Sequence, residues 1–264
     1  MTDSIARLID HSLLHPTLTD DELRAGCQLA RRLGVASVCI KPYAVPLAAE
    51  LLAGSVVHVG TVVGFPHGAN TTETKVHEAD LACRQGAVEL DMVINVGRAL
   101  SGDWAFVAAD IQAVVDVAHL WGALTKVILE TDFVTRDEDK IRLCQISERA
   151  GAEFVKTSTG FGFVRQADGS YSYRGATEQD VRLLRAHVGH SVQVKAAGGI
   201  RNYEDAAKIR AAGATRIGAT ASEAIIAGEL AAQRLGSTAR AVSNGSGSAW
   251  SAEYPQLREL ADAK

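Results

Sequence analysis

Apolar runs of five to ten residues, rich in β-branched side chains, alternate with segments of helical period along this chain. That alternation points to repeated βα units and therefore to a parallel sheet. Eight such runs are legible, at 10–14, 36–41, 56–65, 88–94, 124–130, 153–158, 192–197 and 215–219. The segments between them open on helix caps. Thr19 with Glu22 and Thr135 with Glu138 fit capping boxes, and Thr177 with Asp180 and Asn202 with Asp205 give a weaker form of the signal. Several close on glycine, at Gly34, Gly86, Gly151 and Gly213, where a left-handed residue turns the chain back towards the next strand. Eight units within 264 residues match a (β/α)8 TIM barrel, typically ~250 residues long. The competing open, doubly wound sheet lacks its GxGxxG fingerprint after the first strand. An aromatic content of only 5% also suits a barrel, whose interior is filled by branched aliphatics. The expected organisation is one α/β domain over 1–235 with a short N-terminal extension, then a Gly/Ser-rich linker and polar C-terminal tail over 236–264.

Charge and cysteine usage exclude several function classes. Lys and Arg number 27 against 31 Asp and Glu, a formal charge of −4, and no basic run is interleaved with aromatics. No nucleic-acid partner is expected. No apolar run reaches the ~18 residues of a membrane span, and MTDSIARLID lacks the basic and apolar regions of a signal peptide. Cys27, Cys39, Cys83 and Cys144 are far apart and form no CxxC pair. A cytoplasmic protein without membrane association is the expectation. His11 and His15 stand four apart, but HExxH is missing and Pro16 follows, so no metal is expected.

In a parallel barrel the reactive groups stand at the C-terminal ends of the strands. Three charged residues interrupt apolar runs there: Asp91 in VELDMVIN, Lys156 in EFVKTSTGF and Lys195 in VQVKAAGGI. Each alone has a plain structural explanation, since a buried Asp can serve backbone N–H groups and a Lys can snorkel to solvent. Together they say more. The sixth and seventh strands are neighbours, which sets Lys156 and Lys195 side by side. Repulsion and desolvation then lower a lysine pKa from ~10.4, and a fall of ~3 units corresponds to roughly 4 kcal/mol. A neutral amine is what a Schiff-base nucleophile supplies, and a carboxylate such as Asp91 can carry the accompanying protons. The pattern leaves open which lysine is the nucleophile. Asp10 and Glu130, also at strand ends, are supporting candidates for holding the pair through a charge-assisted bond. Cys39 either faces the cavity or fills the core as a small buried thiol, and Lys41 is secondary.

Glycines supply the other half of a site. Gly160 follows KTST, Gly198 and Gly199 follow strand seven, and Gly218–Thr220 closes strand eight. Backbone N–H groups in the loops after strands seven and eight form a frequent phosphate site, which implies a phosphorylated substrate. The plain alternative is that these glycines only make tight turns.

The segments IDHSLL, VGFPHGANTTETK, ELDMVINVG, KTSTGFG, VKAAGGIR and ATRIGAT, in this order over residues 8–230, resemble those of the deoxyribose-phosphate aldolases. The resemblance implies a class I aldolase, free of metal and cofactor, that reversibly cleaves 2-deoxy-D-ribose 5-phosphate to D-glyceraldehyde 3-phosphate and acetaldehyde. By position it makes Lys156 the Schiff-base lysine, Lys195 the residue that tunes its pKa, and Asp91 a member of the proton relay. It makes Thr159, Gly160, Gly198, Gly199, Gly218 and Thr220 the substrate and phosphate contacts. The chain departs from the family pattern at Thr220–Ala221–Ser222, where adjacent serines or a Ser-Gly pair are frequent, and at His67, where an aliphatic residue is common.

The largest departure is the stretch 163–174, FVRQADGSYSYR, longer than the loop usual after KTSTGFG. Asp168–Gly169 between alternating residues predicts a small hairpin. Its place after the strand bearing Lys156 predicts cover for part of the substrate mouth, the alternative being an inert surface insertion. Tyr254 in the tail is a further candidate for reaching the site. Two rival functions fit the same residues: a Schiff-base aldolase of another sugar phosphate or an unphosphorylated aldehyde, and a non-catalytic sugar-phosphate-binding barrel. The expected partners are small phosphorylated sugars and aldehydes, together with further copies of the chain in a homodimer or larger homo-oligomer.

Overall fold

Alternation along the strands decides where each part of the core lies. Ile9, Val38, Leu90, Val127, Val155, Val194 and Ile217 are all fully buried and belong to one apolar cluster with the surrounding helices. The residues next to them in sequence, among them Asp10, Cys39, Asp91, Lys126, Lys156, Lys195 and Gly218, occupy the opposite face, because side chains along a strand alternate with period two. Burying a Val, Leu or Ile is worth about 1.5–3 kcal/mol, so the layer between strands and helices can hold the fold while the interior takes polar residues.

The computed structural model describes residues 4–245. Eight parallel strands close a barrel: β1 (Ile9–Leu13), β2 (Ser37–Ile40), β3 (His58–Val63), β4 (Glu89–Val93), β5 (Leu124–Ile128), β6 (Phe154–Lys156), β9 (Gln193–Ala197) and β10 (Arg216–Ala219). Two short strands, β7 (Val164–Arg165) and β8 (Tyr171–Ser172), pair antiparallel in a separate hairpin. The helices are α1 (Asp20–Leu33), α2 (Val45–Leu52), α3 (Thr72–Arg84), α4 (Val96–Leu100), α5 (Trp104–Leu120), α6 (Asp137–Arg149), α7 (Glu178–Ala186), α8 (Tyr203–Ala211) and α9 (Ser222–Gly245). No helix among the described residues is long and apolar enough to cross a membrane. The register sets Asp91 opposite Lys126, Ile128 opposite Lys156 and Lys156 opposite Lys195.

A barrel strand falls at each of the eight expected runs, although β1 begins one residue earlier, at Ile9, and several strands are shorter than the apolar run that marks them. The hairpin expected around Asp168–Gly169 is present, with Gly169 at φ 84°. The Thr19 capping box forms in full, and Thr177 and Asn202 cap α7 and α8. Thr135 does not cap α6: that helix starts after Arg136 with no side-chain cap, and the Arg136 guanidinium lies 3.6 Å from the Glu138 carboxylate that a capping box would need. Of the expected linker and tail over 236–264, the first part is helical, because α9 continues to Gly245, and 246–264 lies outside the described residues. Ala239, Arg240 and Ala241 are good helix formers, and extending an existing helix costs far less than nucleating one. Tyr254 lies outside the described residues.

Candidate active site

Asp91 on β4 is the centre of a buried ion cluster. Its Oδ2 accepts from Lys156 Nζ at 2.8 Å and Lys195 Nζ at 2.6 Å, and its Oδ1 accepts from Lys126 Nζ at 2.9 Å. Lys195 also meets Asp10 Oδ2 at 2.5 Å. Glu89, two residues before Asp91 and so on the same face of β4, lies 2.6 Å from Lys126. Arg216 closes the cluster from β10, at 2.6 Å from Asp10 and 3.0 Å from Glu89. Three carboxylates thus face four basic groups. Charge out of water costs several kcal/mol per ion unless it is paired, so this interior is balanced when one base is uncharged.

The surroundings select that base. Burial depresses the Lys156 ammonium; Asp91 partly opposes this, Lys195 reinforces it, and the net pKa lies below the ordinary lysine value. Burial acts on Lys195 too, but Asp10 and Asp91 outweigh it and hold the pKa above the ordinary value. Lys126 is held well above by Asp10, Asp91 and Glu89 against the same burial. Asp91 remains ionised: burial would raise its pKa, yet Lys126, Lys156 and Lys195 hold it well below the usual carboxylate range. Both causes expected from the sequence, desolvation and Lys195 repulsion, lower the Lys156 pKa. Burial is the leading cause and the neighbouring ammonium a secondary one.

A cavity of about 510 Å³ opens over this cluster at the C-terminal ends of the strands. Lys156, Lys195, Asp10 and Cys39 face it, while Asp91 lies behind the lysines and outside the cavity wall. The expected substrate contacts Thr159, Gly160, Gly198, Gly199, Gly218 and Thr220 all border the same space. A β-carbon on Gly218 would approach Ala197 Cβ to 2.9 Å, so only glycine leaves that wall undisturbed. Cys39 is a buried thiol pushed up to about 11, chiefly by burial, and stays neutral near pH 7. Arg201, within the VKAAGGIR segment, also borders the cavity, next to Gly199 and Ile200.

Asp10 holds Lys195 as expected, whereas Glu130 does not join the ion cluster. Glu130 accepts instead from the hydroxyl and backbone N–H of Thr159, tying the loop after β6 to the end of β5. Its backbone is left-handed, with φ 52°, and Lys156 acts on its carboxyl only as a neighbouring charge. The Ser222 hydroxyl bonds His11 Nδ1 at 2.8 Å, so Thr220 is the hydroxyl of the Thr220–Ala221–Ser222 stretch that borders the cavity. Burial lowers the His11 pKa to about 4 and keeps that ring neutral. His67 is exposed, and Lys41 donates to the Leu18 carbonyl at 2.7 Å.

Sequence reasoning missed Lys126, Glu89 and Arg216. The signal was present, since each interrupts or flanks an apolar strand run as Asp91 does. Glu89 and Asp91 share the i, i+2 spacing that places both on one face. Phe163 and Tyr173 at the two feet of the hairpin also border the cavity, which places the insertion beside the mouth.

Comparison with known proteins points to one family of aldolases. The model of the DeoC/LacD family aldolases matches residues 4–228. The deoxyribose-phosphate aldolase of Bacillus cytotoxicus is 52% identical over 223 residues, covering 84% of this chain and 95% of that protein. Its counterpart in Caldanaerobacter subterraneus subsp. tengcongensis is 50% identical over 224 residues, covering 84% and 92%. Among solved structures, the tetrameric deoxyribose phosphate aldolase of Aeropyrum pernix superposes with a TM-score of 0.75 at 31% identity, covering 84% of this chain and 89% of that one.

Proposed function

The chain belongs to the DeoC/LacD family of aldolases, and on that premise we propose that it reversibly cleaves 2-deoxy-D-ribose 5-phosphate through a Schiff base on Lys156. The observation that carries this reading is the asymmetry of the lysine pair. Lys195 is clamped between two carboxylates, while Lys156 shares one of them and its pKa lies below the ordinary lysine value.

The uncharged Lys156 amine attacks the aldehyde carbon C1, and loss of water gives an iminium. Removal of the C3 hydroxyl proton breaks the C2–C3 bond, whose electron pair moves into the iminium. The products of this step are an enamine on Lys156 and glyceraldehyde 3-phosphate. Protonation of the enamine at C2 and addition of water then free acetaldehyde and regenerate the amine. The protons pass along the hydrogen-bonded Lys195–Asp91 pair, with Lys195 as the group that meets the substrate and Asp91 acting through it. The phosphate lies against the Gly160, Gly198–Gly199 and Gly218–Thr220 backbone, with Arg201 near by. In the cell we place the enzyme in the cytoplasm as a homodimer or larger assembly. The tetrameric Aeropyrum pernix relative supports association.

Borohydride reduction in the presence of acetaldehyde, followed by peptide mapping, tests the reading. The expected adduct is on Lys156. An adduct on Lys195 or Lys126, or no adduct from an enzyme that still cleaves the sugar phosphate, would overturn it.

A further inference from the structure

The hairpin at 163–174 is fastened to the cavity wall at both feet. At its C-terminal foot, Asp132 Oδ1 accepts from the backbone N–H groups of Arg174 at 2.6 Å and Gly175 at 3.0 Å. The Arg174 guanidinium donates to Asp180 on α7 at 2.9 Å. The next residue, Ala176, donates its N–H to the Gly198 carbonyl at 3.1 Å. At the N-terminal foot, Gly162 is packed so closely on Glu130 that a β-carbon would lie 2.9 Å from its carboxyl carbon. Between these anchors the Phe163 and Tyr173 rings meet edge to face, 5.3 Å apart at 86°. Tyr173 Cε2 is 3.6 Å from where a Gly198 β-carbon would stand, which locates the ring pair beside the Gly198–Gly199 turn.

That end of the cavity is bordered by Gly198, Gly199, Gly218, Thr220 and the exposed Arg201, residues that can offer an anion backbone N–H groups, one hydroxyl and one guanidinium. The lysines of the buried cluster are committed to carboxylates. An anion held by dipoles and one solvated cation gains most when water is kept away, because the same dipoles act more strongly at lower local dielectric. The Phe163–Tyr173 pair stands at that turn, with Tyr173 half-buried against Gly198 and Phe163 exposed.

We propose that Phe163 and Tyr173 are specificity-determining residues: they screen the phosphate end of the cavity from solvent, and the preference for a phosphorylated over an unphosphorylated sugar depends on them. The inference rests on the aldolase reading for its substrate. The insertion is then a structural part of anion recognition.

Two variants test it: the double substitution Phe163→Ala, Tyr173→Ala, and a loop in which 163–173 are replaced by two glycines. In both, the ratio of kcat/KM for 2-deoxyribose 5-phosphate to that for 2-deoxyribose is expected to fall about tenfold, the size of effect that a moderate rise in local dielectric produces. Inorganic phosphate, titrated by calorimetry as a probe that needs no turnover, is expected to bind about tenfold more weakly. Persistence of the acetaldehyde–borohydride adduct reports a folded barrel in each variant. A substrate ratio and phosphate affinity equal to those of the parent in adduct-forming variants would sink the proposal. A parent enzyme that forms no adduct would instead remove the aldolase reading, and the phosphate titration would still decide the role of the rings.

Discussion

Lys156 and Lys195 are register partners on β6 and β9 and donate to the same oxygen, Oδ2 of Asp91, at 2.8 and 2.6 Å. What separates them is Asp10, which lies 2.5 Å from Lys195 and keeps the second ammonium charged. Lys195→Leu removes that charge and leaves Asp91 to Lys156 and Lys126. The Lys156 pKa is then expected to rise, moving the acidic limb of adduct formation to higher pH and slowing trapping near pH 7. Because Asp10 loses a buried partner, stability is expected to fall by ~3–5 kcal/mol. The pH profile of borohydride trapping and a denaturant titration check the two effects. An unshifted limb would show that Lys195 does not govern the neighbouring amine.

Asp91→Asn separates nucleophile from proton transfer. With one negative charge gone, the four bases of the cluster face two carboxylates, and Lys156 is pushed further towards the neutral amine. The iminium is still expected to form, so the adduct with acetaldehyde persists. Turnover is expected to drop by ~10²–10⁴, the usual contribution of acid–base catalysis. Parallel measurement of trapping and kcat checks this, and equal losses in both would contradict the assignment.

How far the sequence exposed this site depends on what each residue competes with locally. Asp91, Lys156 and Lys195 interrupt runs of buried apolar residues, and a charge in such a place must meet another charge, so their convergence was legible. Lys126 and Glu89 carry the same signal, but they lie deeper in their strands than the C-terminal ends where reactive groups are sought. Glu130 sits at the right strand end and bonds Thr159 instead, from a left-handed backbone, and no local pattern announces a positive φ at glutamate. The balance of burial and partner charges at Lys156 is a property of three dimensions. Repulsion by one neighbour could be inferred from strand order, whereas the clamp of Asp10 on Lys195 required strands β1 and β9 to be brought together by barrel closure.

Glu130 confers a pH dependence of known sign. Burial pushes its carboxyl up to about 6, with Asp132 adding to the rise and the Thr159 bonds opposing it. Between an unfolded value of ~4.3 and that folded value, the native protein holds a proton that the unfolded chain has released. Stability is therefore expected to fall as pH rises through this window, by about 2 kcal/mol once the carboxyl is fully ionised above it. Glu130→Gln removes the titration while keeping an oxygen for Thr159. Denaturant midpoints from pH 4 to 7 should show a flatter slope in the variant; identical slopes would assign the dependence to another group.

The last prediction concerns the contact between Gly175 and Gly198. Gly175 has φ 70°, and a β-carbon there would come within 2.5 Å of the Gly198 carbonyl oxygen and 2.7 Å of its carbon. Gly175→Ala must therefore bear backbone strain and also displace the turn against which the phosphate is placed. Gly169→Ala, at the tip of the same hairpin, supplies the comparison: its φ is 84°, but its β-carbon would meet nothing within 4 Å. Both substitutions carry the strain of a left-handed alanine, ~1–3 kcal/mol each, or a few degrees in Tm. Only Gly175→Ala is expected to raise KM for the 5-phosphate substrate, because only there does the added carbon reach Gly198. If the two variants lose stability alike and neither changes KM, the contact is packing alone; a KM effect confined to Gly175→Ala ties the foot of the hairpin to the phosphate cradle.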